Sequence, residues 1–238
     1  MKLEEVIAYL ESHKNEANRE GMSRYGIKID RAYGLSMGEL RSLAKMIGKD
    51  HQLALDLWEA GSHESRLLSS IIDVPAKVTE DQMEHWVSQI DSWDVCDQCC
   101  SNLFSRTAFA GKKAGEWVAR EEEYVKRAGF VMMAALAVHD KKADDRLFLS
   151  FLTMIDSDAA DDDRPFVRKA VNWALRQIGK RNMLLQVEAI KTAEKVLTRG
   201  TKSARWIAGD ALKELRSEKT TTMIKKRRCL NGIKLDSS

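Results

Sequence analysis

The chain is almost free of residues that interrupt helices, and this restricts its fold more than any other feature of the sequence. Only two prolines, Pro75 and Pro165, occur among 238 residues. Proline removes a backbone donor and clashes with the preceding turn, so a chain with so few prolines can form long helices. Apolar residues recur at helical spacing, and no segment alternates apolar and polar residues for long. The sequence therefore predicts an all-α protein.

Local start and stop signals place the individual helices. The segments 36–39 and 79–82 each form a capping-box pattern, a Ser or Thr followed three residues later by Glu or Gln. Pro165 suits the first turn of a helix, and Gly179 is a natural end for it. Further helices are expected near 2–12, 51–60, 63–73, 93–104, 111–119, 121–138, 144–156, 182–197 and 203–216.

Four of these segments resemble one another, each with a basic residue near its start and apolar residues at helical spacing. They are ESRLLSSIID from 64, VKRAGFVMMAAL from 125, VRKAVNWALRQI from 167 and SARWIAGDALKEL from 203. Arg127 and Arg168 are 41 residues apart, and Arg168 and Arg205 are 37 apart. This spacing suits a two-helix unit of HEAT type. We expect an α-solenoid of HEAT-like helical repeats with a concave, basic binding cleft. The alternative is an irregular bundle of unrelated amphipathic helices.

The repeat pattern ends before the chain does. We expect a single HEAT-like helical repeat domain over 1–217. The segment 218–238 is polar and basic without a clear apolar face, so it is expected to be a flexible basic tail.

Charge is distributed unevenly along the chain. Residues 1–163 hold 20 Lys and Arg against 30 Asp and Glu, a net charge of −10. Residues 164–238 hold 19 against 6, a net charge of +13. A region this basic indicates a polyanionic partner, most simply nucleic acid. The alternative is a solvated basic surface with no partner.

The sequence indicates a cytosolic protein with free thiols. Its longest apolar stretch is too short to span a bilayer, and its N-terminus is acidic and amphipathic, unlike a signal peptide.

Three of the four cysteines form a CxxCC motif without a second pair, so we expect small core residues and no metal or other cofactor. The histidines His63, His85 and His139 have no ligand-like spacing and are interpreted as structural or surface residues. The cysteines are Cys96, Cys99, Cys100 and Cys229.

Two helices carry residues suited to nucleic-acid chemistry. Trp93 and Asp97 are four residues apart, so on a helix they share a face. A carboxylate beside an indole at the edge of an apolar stripe is costly without a partner or a purpose. The alternative is an aspartate bonded to a neighbouring backbone or arginine.

The helix over 165–179 carries Trp173 among basic residues, which suits contact with a base and its phosphates. Those basic residues are Arg168, Lys169 and Arg176.

The runs SWDVCD, YVKRAGF and FVRKAVNWALRQIGK follow MSRYGIKIDRAYGLSMGELRSLAK in this order. Together they resemble the AlkD-like DNA alkylation repair family over roughly residues 20–215. The resemblance implies HEAT-like repeats and an activity that removes alkylated purines from DNA.

The resemblance also assigns roles to individual residues. Asp97 matches the catalytic aspartate of the family, and Trp93 and Trp173 match the two indoles beside the lesion. Ser92 stands where the family often has a further tryptophan, which leaves the lesion preference open. The remaining matches line the same cleft: Arg127, Arg176 and Tyr25.

These observations give one expected function and two alternatives. The expected protein is a monomeric, cytoplasmic, nucleoid-associated DNA glycosylase that acts on double-stranded DNA with alkylated bases, without metal or other cofactor. The first alternative is a non-catalytic HEAT-repeat protein that binds damaged or branched nucleic acid. The second alternative is a protein-binding helical scaffold, which has no need for the set Trp93, Asp97, Arg127 and Trp173.

Overall fold

A computed structural model describes the backbone of residues 1–233 and their side chains, except those of 158–159 and 228–233. All the regular structure in this range is helical, which confirms the predicted fold class. None of the described helices is both long enough and apolar enough to cross a membrane. The α-helices are α1 (Leu3–Ser12), α2 (Glu16–Ser23), α3 (Met37–Ile47), α4 (His51–Ala60), α5 (His63–Ile72), α6 (Glu80–Ser88), α7 (Trp93–Asn102), α8 (Ala110–Val118), α9 (Glu123–His139), α10 (Asp145–Met154), α11 (Pro165–Gly179), α12 (Met183–Thr198), α13 (Lys202–Leu215) and α14 (Glu218–Ile233).

Several helices begin where the sequence places them. The Ser36 hydroxyl accepts a hydrogen bond from the Glu39 backbone N–H, and the Glu39 carboxylate accepts one from the Ser36 N–H, so the capping box forms. Pro165 is the first residue of α11. Gly179 is its last residue, but a Cβ atom there would lie 2.7 Å from a Leu215 methyl carbon. Gly179 therefore allows close packing of α11 and α13.

The structure has two helices that the sequence does not predict, α2 and α14. α14 occupies the range where a flexible tail is expected; residues 234–238 lie outside the described range. Thr220 and Ile224 of α14 are buried, and the Gln186 side chain of α12 donates to the Thr221 hydroxyl. These long-range contacts stabilise a segment whose own apolar pattern is weak.

The helices pack into two compact units, Met1–Ala110 and Gly111–Ser238. In the first unit, α5 packs against α3, α4 and α7, and a stacked pair of buried indoles, Trp58 and Trp86, lies in its core with ring centroids 4.2 Å apart. In the second unit, α11 packs between α9 and α13, while α12 contacts α10 and α14. Such stacking of alternate helices is the packing expected of two-helix repeats. That residues 1–217 form a single domain stays a prediction.

A glycine permits close contact between α8 and α9 in the second unit. A Cβ atom on Gly129 of α9 would lie 2.6 Å from a Val118 methyl carbon, 2.8 Å from the Val118 backbone nitrogen and 3.0 Å from the Ala114 carbonyl oxygen. Two of these atoms belong to the backbone of α8 and cannot turn aside. Gly129 therefore allows α8 to approach α9 at this short distance.

Candidate nucleic-acid interface

The first candidate group of residues lies on α7. Trp93 opens this helix and Asp97 follows one turn later, so the two side chains share a face as the sequence predicts. Both are half-buried, whereas Val95, Cys96, Cys99 and Cys100 are buried in the core of the first unit. α7 thus places an indole and a carboxylate side by side at the surface, which is the arrangement that the sequence pattern favours.

A hydrogen bond fixes the orientation of the Trp93 ring. Its indole N–H donates to the backbone carbonyl oxygen of Tyr25 over 3.0 Å. Tyr25 lies in the turn after α2, and its own side chain is 69% exposed. The first unit therefore brings together three residues that the sequence and the family resemblance select, Tyr25, Trp93 and Asp97.

A buried ion pair supports the start of α7, and sequence reasoning missed its role. His63 Nε2 lies 2.8 Å from a carboxylate oxygen of Asp94, and both groups are largely buried. His63 also lines a cavity of about 210 Å³ whose charged lining has both signs: Lys28, Asp30, Arg31, His63, Arg66 and Asp91. His63 and Asp94 are 31 residues apart in the sequence, so no local pattern could have indicated their contact.

Burial and charge act in opposite directions on this pair. Burial lowers the pKa of His63, but the hydrogen bond and charge of Asp94, with the charges of Glu64 and Asp91, outweigh it and raise the pKa above its ordinary value. Burial raises the pKa of Asp94, but the contact with His63 outweighs it and lowers that pKa. The charged forms of both groups are therefore favoured in the folded protein.

We expect the substitution His63→Gln to reduce stability most at mildly acidic pH. The stabilisation that protonated His63 provides is complete at pH values below its unfolded pKa of about 6.5. It is lost as the pH rises through the higher pKa of the folded protein. The stabilisation that ionised Asp94 provides is complete at pH values above its unfolded pKa of about 3.9. It is lost as the pH falls through the lower pKa of the folded protein. Between these limits His63→Gln should cost about 1.5–3 kcal/mol of unfolding free energy, as for a hydrogen bond to a charged group.

Thermal unfolding of both proteins between pH 4 and pH 9 checks this prediction, since the difference should shrink above neutrality. His85→Gln is the matched control, because His85 is exposed although it lies 2.7 Å from Glu59. An equal loss at every pH, or the same profile for the control, would contradict the assignment.

The second candidate group lies on α9 and α11 in the second unit. Arg127 is 5% exposed, and its guanidinium donates to the Phe166 backbone carbonyl oxygen over 2.6 Å. This bond ties α9 to the first turn of α11. Arg127 thus has a structural role that the sequence did not indicate, and its contact with DNA stays a prediction.

One face of α11 carries a stripe of basic and aromatic side chains. Lys169, Trp173, Arg176 and Lys180 follow each other at intervals of four, three and four residues, so they lie along one face of the helix. Lys169 is exposed, and Trp173 is half-buried. This stripe agrees with the sequence interpretation of Trp173 as an indole among cations.

The C-terminal half of this stripe, Arg176 and Lys180, is paired with acids on α13. A Glu214 carboxylate on α13 accepts hydrogen bonds from both Arg176 and Lys180, each over 2.8 Å, and Asp210 lies 3.5 Å from Arg176. Burial raises the pKa of Glu214, but the two cations outweigh it and lower that pKa. The sequence alone suggests that Arg176 is free to bind phosphate. In the structure, phosphate must compete with Glu214 and Asp210 for this side chain.

Arg168 packs against an aromatic side chain of the neighbouring helix α13. Its guanidinium carbon lies 4.9 Å from the ring centroid of Trp206 on α13, within the range of a cation–π contact. Trp206 was not among the predicted site residues, although it follows the basic start of the fourth repeat-like segment.

The cysteines of α7 are core residues, as predicted. Cys96, Cys99 and Cys100 are free thiols with no exposed surface, and burial raises the pKa of Cys99 and of Cys100 well above the ordinary value. Among the described residues, no group of three or more His, Cys, Asp or Glu side chains is arranged to hold a metal ion. Cys229 lies outside the described side chains.

The predicted site residues thus fall into two groups, one in each unit. Tyr25, Trp93 and Asp97 form the first; the second consists of Arg127, Arg168, Lys169, Trp173 and Arg176. That both groups line one cleft stays a prediction.

Comparison with known proteins gives a family and a fold. The family model described as DNA alkylation repair enzyme matches residues 6–215. An uncharacterized protein of Listeria innocua is 28% identical over 101 residues, which cover 41% of this chain and 45% of that protein. The chain therefore aligns with less than half the length of this curated relative.

A solved structure has the same fold over most of its length. It is described as belonging to a new family of proteins related to the HEAT-like repeat DNA glycosylases with affinity for branched DNA structures. The TM-score is 0.73 at 20% sequence identity, over 82% of this chain and 83% of that one. The likeness confirms the predicted HEAT-like α-solenoid fold.

Proposed function

Because the chain belongs to the DNA alkylation repair enzyme family, we propose that it is a DNA glycosylase that removes positively charged alkylated purines from duplex DNA. The observation that carries this proposal is the pair on α7. Asp97 lies one turn after Trp93 on the same half-buried face, and the Trp93 ring is held by the Tyr25 carbonyl oxygen. Asp97 and Trp93 are also the residues that match the catalytic aspartate and an indole of this family.

The proposed reaction is hydrolysis of the glycosidic bond. The bond between C1′ and the purine nitrogen breaks, and its electron pair neutralises the charge on the alkylated base. Positive charge then develops on the deoxyribose, where a fixed carboxylate stabilises it. Water forms the new bond to C1′, and Asp97 orients this water or accepts its proton. Trp93 attracts the cationic base by a cation–π contact, worth about 0.5–2 kcal/mol. The base is a good leaving group, so the step requires no strong general acid.

Release of free bases from methylated duplex DNA is the direct test. Purified protein should liberate methylated purines with time and leave abasic sites, and a chelator should not change the rate. Unmodified DNA of the same sequence is the control. DNA binding without any base release would instead favour the second candidate.

The second candidate is a non-catalytic protein that binds branched or damaged DNA. The solved structure with the same fold is described as having affinity for branched DNA structures, and this supports the candidate. A protein-binding scaffold is distinguished from both by salt, because affinity for DNA falls steeply as salt rises and affinity for most proteins does not. We further propose a monomer in the cytoplasm, associated with the nucleoid through DNA.

The pairing of Arg176 and Lys180 with Glu214 gives a testable property of DNA binding. Glu214→Gln removes the carboxylate that competes with phosphate for these two cations. We expect DNA affinity to rise about three- to tenfold at low salt, with a salt dependence steeper by about one unit, since about one more phosphate is neutralised. Titrations from 50 to 200 mM salt measure both quantities.

The control for this variant is Glu188→Gln, which removes an equal charge from a pair with Lys191 on α12. An equal gain in both variants would mean that only net charge matters. Unchanged or weaker binding in Glu214→Gln would contradict a role for Arg176 and Lys180 at phosphates.

A further inference from the structure

Trp206 on α13 is a large apolar side chain left at the surface. It is 41% exposed, while the apolar residues around it on the helix, such as Ala204, Ile207 and Ala208, have no exposed surface. Trp206 therefore lies outside the stripe that packs α13 into the second unit. Its exposed indole keeps apolar surface in contact with water that a bound ring could cover.

Arg168 covers part of this indole and holds it in place. The guanidinium carbon lies 4.9 Å from the ring centroid, and the buried Arg168 Nε has no hydrogen-bond partner among the described residues. Since α11 and α13 pack against each other, both partners are on fixed helices. The result is an ordered indole with a cation at one side and open surface at another.

The surface around Trp206 carries cations that no described acidic side chain pairs with. Lys202 and Arg205 are exposed in the first turns of α13, and Lys169 is exposed beside Arg168 on α11. Among the described side chains, which exclude those of 158–159 and 228–233, none of these three cations forms an ion pair with a carboxylate. They differ in this from Arg176 and Lys180, whose charges Glu214 already compensates.

Acidic residues near this surface are engaged elsewhere. Asp210, one turn after Trp206, lies 3.5 Å from Arg176. Asp161 accepts a hydrogen bond from Arg199 over 2.8 Å and one from the Thr201 hydroxyl over 2.7 Å. The positive charge of Lys169, Lys202 and Arg205 is therefore available to an anionic partner.

We propose that Trp206 and Arg168 form a stacking platform for an unpaired nucleobase of DNA, with Lys169, Lys202 and Arg205 at the adjoining phosphates. An indole face with cations beside it is the arrangement by which proteins bind single-stranded nucleic acid. In an intact duplex the neighbouring base pairs cover both faces of every base, so only a strand end, a branch point or a single strand offers a free face. The platform rests on the proposed binding of DNA and adds to it a preference for such structures.

Binding of two DNA probes by the full chain tests this proposal. One probe is a relaxed, covalently closed circular duplex, which has no strand end, and the other is the same duplex cut once to carry a single-stranded 3′ overhang. Trp206→Ala should weaken binding of the overhang probe about tenfold, the scale of losing one stacked base, and change binding of the closed duplex less than twofold. Trp206→Phe should retain most of the affinity, because it keeps an aromatic face.

Leu184→Ala is the matched control, since Leu184 is a 53% exposed apolar residue on α12 of the same unit. Thermal unfolding of each variant establishes that it is folded. Equal losses of affinity for both probes, or no loss for the overhang probe, would overturn the platform.

The rate of base release distinguishes a failure of this inference from a failure of the proposed function. If wild-type protein and Trp206→Ala release methylated purines from duplex DNA at equal rates, while overhang binding is lost in the variant, both proposals hold. If release is normal and overhang binding is unchanged, the platform alone is wrong. If wild-type protein releases methylated purines but binds neither probe, the platform fails and the proposed function holds; if it releases none but loses overhang binding in Trp206→Ala, the platform holds and the proposed function fails.

Discussion

Asp97→Asn is expected to slow base excision by about 10²–10³, the loss that follows removal of one preorganised group that stabilises charge in a transition state. Asparagine keeps the size and shape of aspartate but has no negative charge to place near the developing charge on deoxyribose. The measurement is single-turnover release of methylated purines, because it isolates the chemical step from product dissociation.

DNA binding by this variant should survive. Phosphate contacts come from basic residues, and a carboxylate facing phosphates is repulsive, so affinity should stay the same or rise slightly. Asp91→Asn is the control, because it removes the same charge from a carboxylate just before α7 whose side chain is 46% exposed. If Asp97 only stabilises the helix, Asp97→Asn will unfold at a lower temperature and excise bases at the wild-type rate per folded molecule, and the catalytic assignment will be wrong.

Gly129→Val should give the largest loss of stability among the substitutions considered. Even a Cβ atom at this position would meet the backbone of α8 at 2.8 and 3.0 Å, and valine adds two methyl groups on α9. The helices must separate, and overpacking of this kind costs about 3 kcal/mol. For a protein of this size that corresponds to a decrease in Tm of about 6–12 °C, which differential scanning calorimetry measures.

Gly209→Ala is the matched control within the same unit. Gly209 is inside α13, and a Cβ atom there has no atom within 4 Å. Alanine favours the helix over glycine by about 1 kcal/mol, so this variant should be slightly more stable than the wild type. A normal Tm for Gly129→Val would show that α8 and α9 do not pack at the described distance.

Local signals explain how far the fold could be predicted from the sequence. The capping box at Ser36 and Glu39 and the proline at 165 act within one helical turn, and their helices begin where the pattern places them. α14 was missed because its burial depends on residues far along the chain. Ile224 is 2% exposed only because other helices of the second unit cover it, and no pattern within 218–238 indicates this.

The candidate site likewise combines local features that the sequence predicts with long-range contacts that it does not. Trp93 and Asp97 are one turn apart, so helical periodicity alone places them on a common face. The contact of Trp93 with Tyr25 spans 68 residues, and that of Arg176 with Glu214 spans 38. Charge counting identified the basic region but could not separate Arg176, which is paired with an acid, from Lys202, which has no acidic partner among the described side chains.

The buried thiols of α7 have a practical consequence for studying this helix. Only a thiolate reacts readily with alkylating reagents, and Cys99 and Cys100 are both inaccessible and held largely in the protonated form. Labelling under native conditions must therefore wait until α7 separates transiently from its neighbours, so its rate measures the frequency of that opening. Because Trp93 and Asp97 belong to the same helix, the labelling rate in the presence and absence of DNA reports directly whether a bound duplex holds α7 in place.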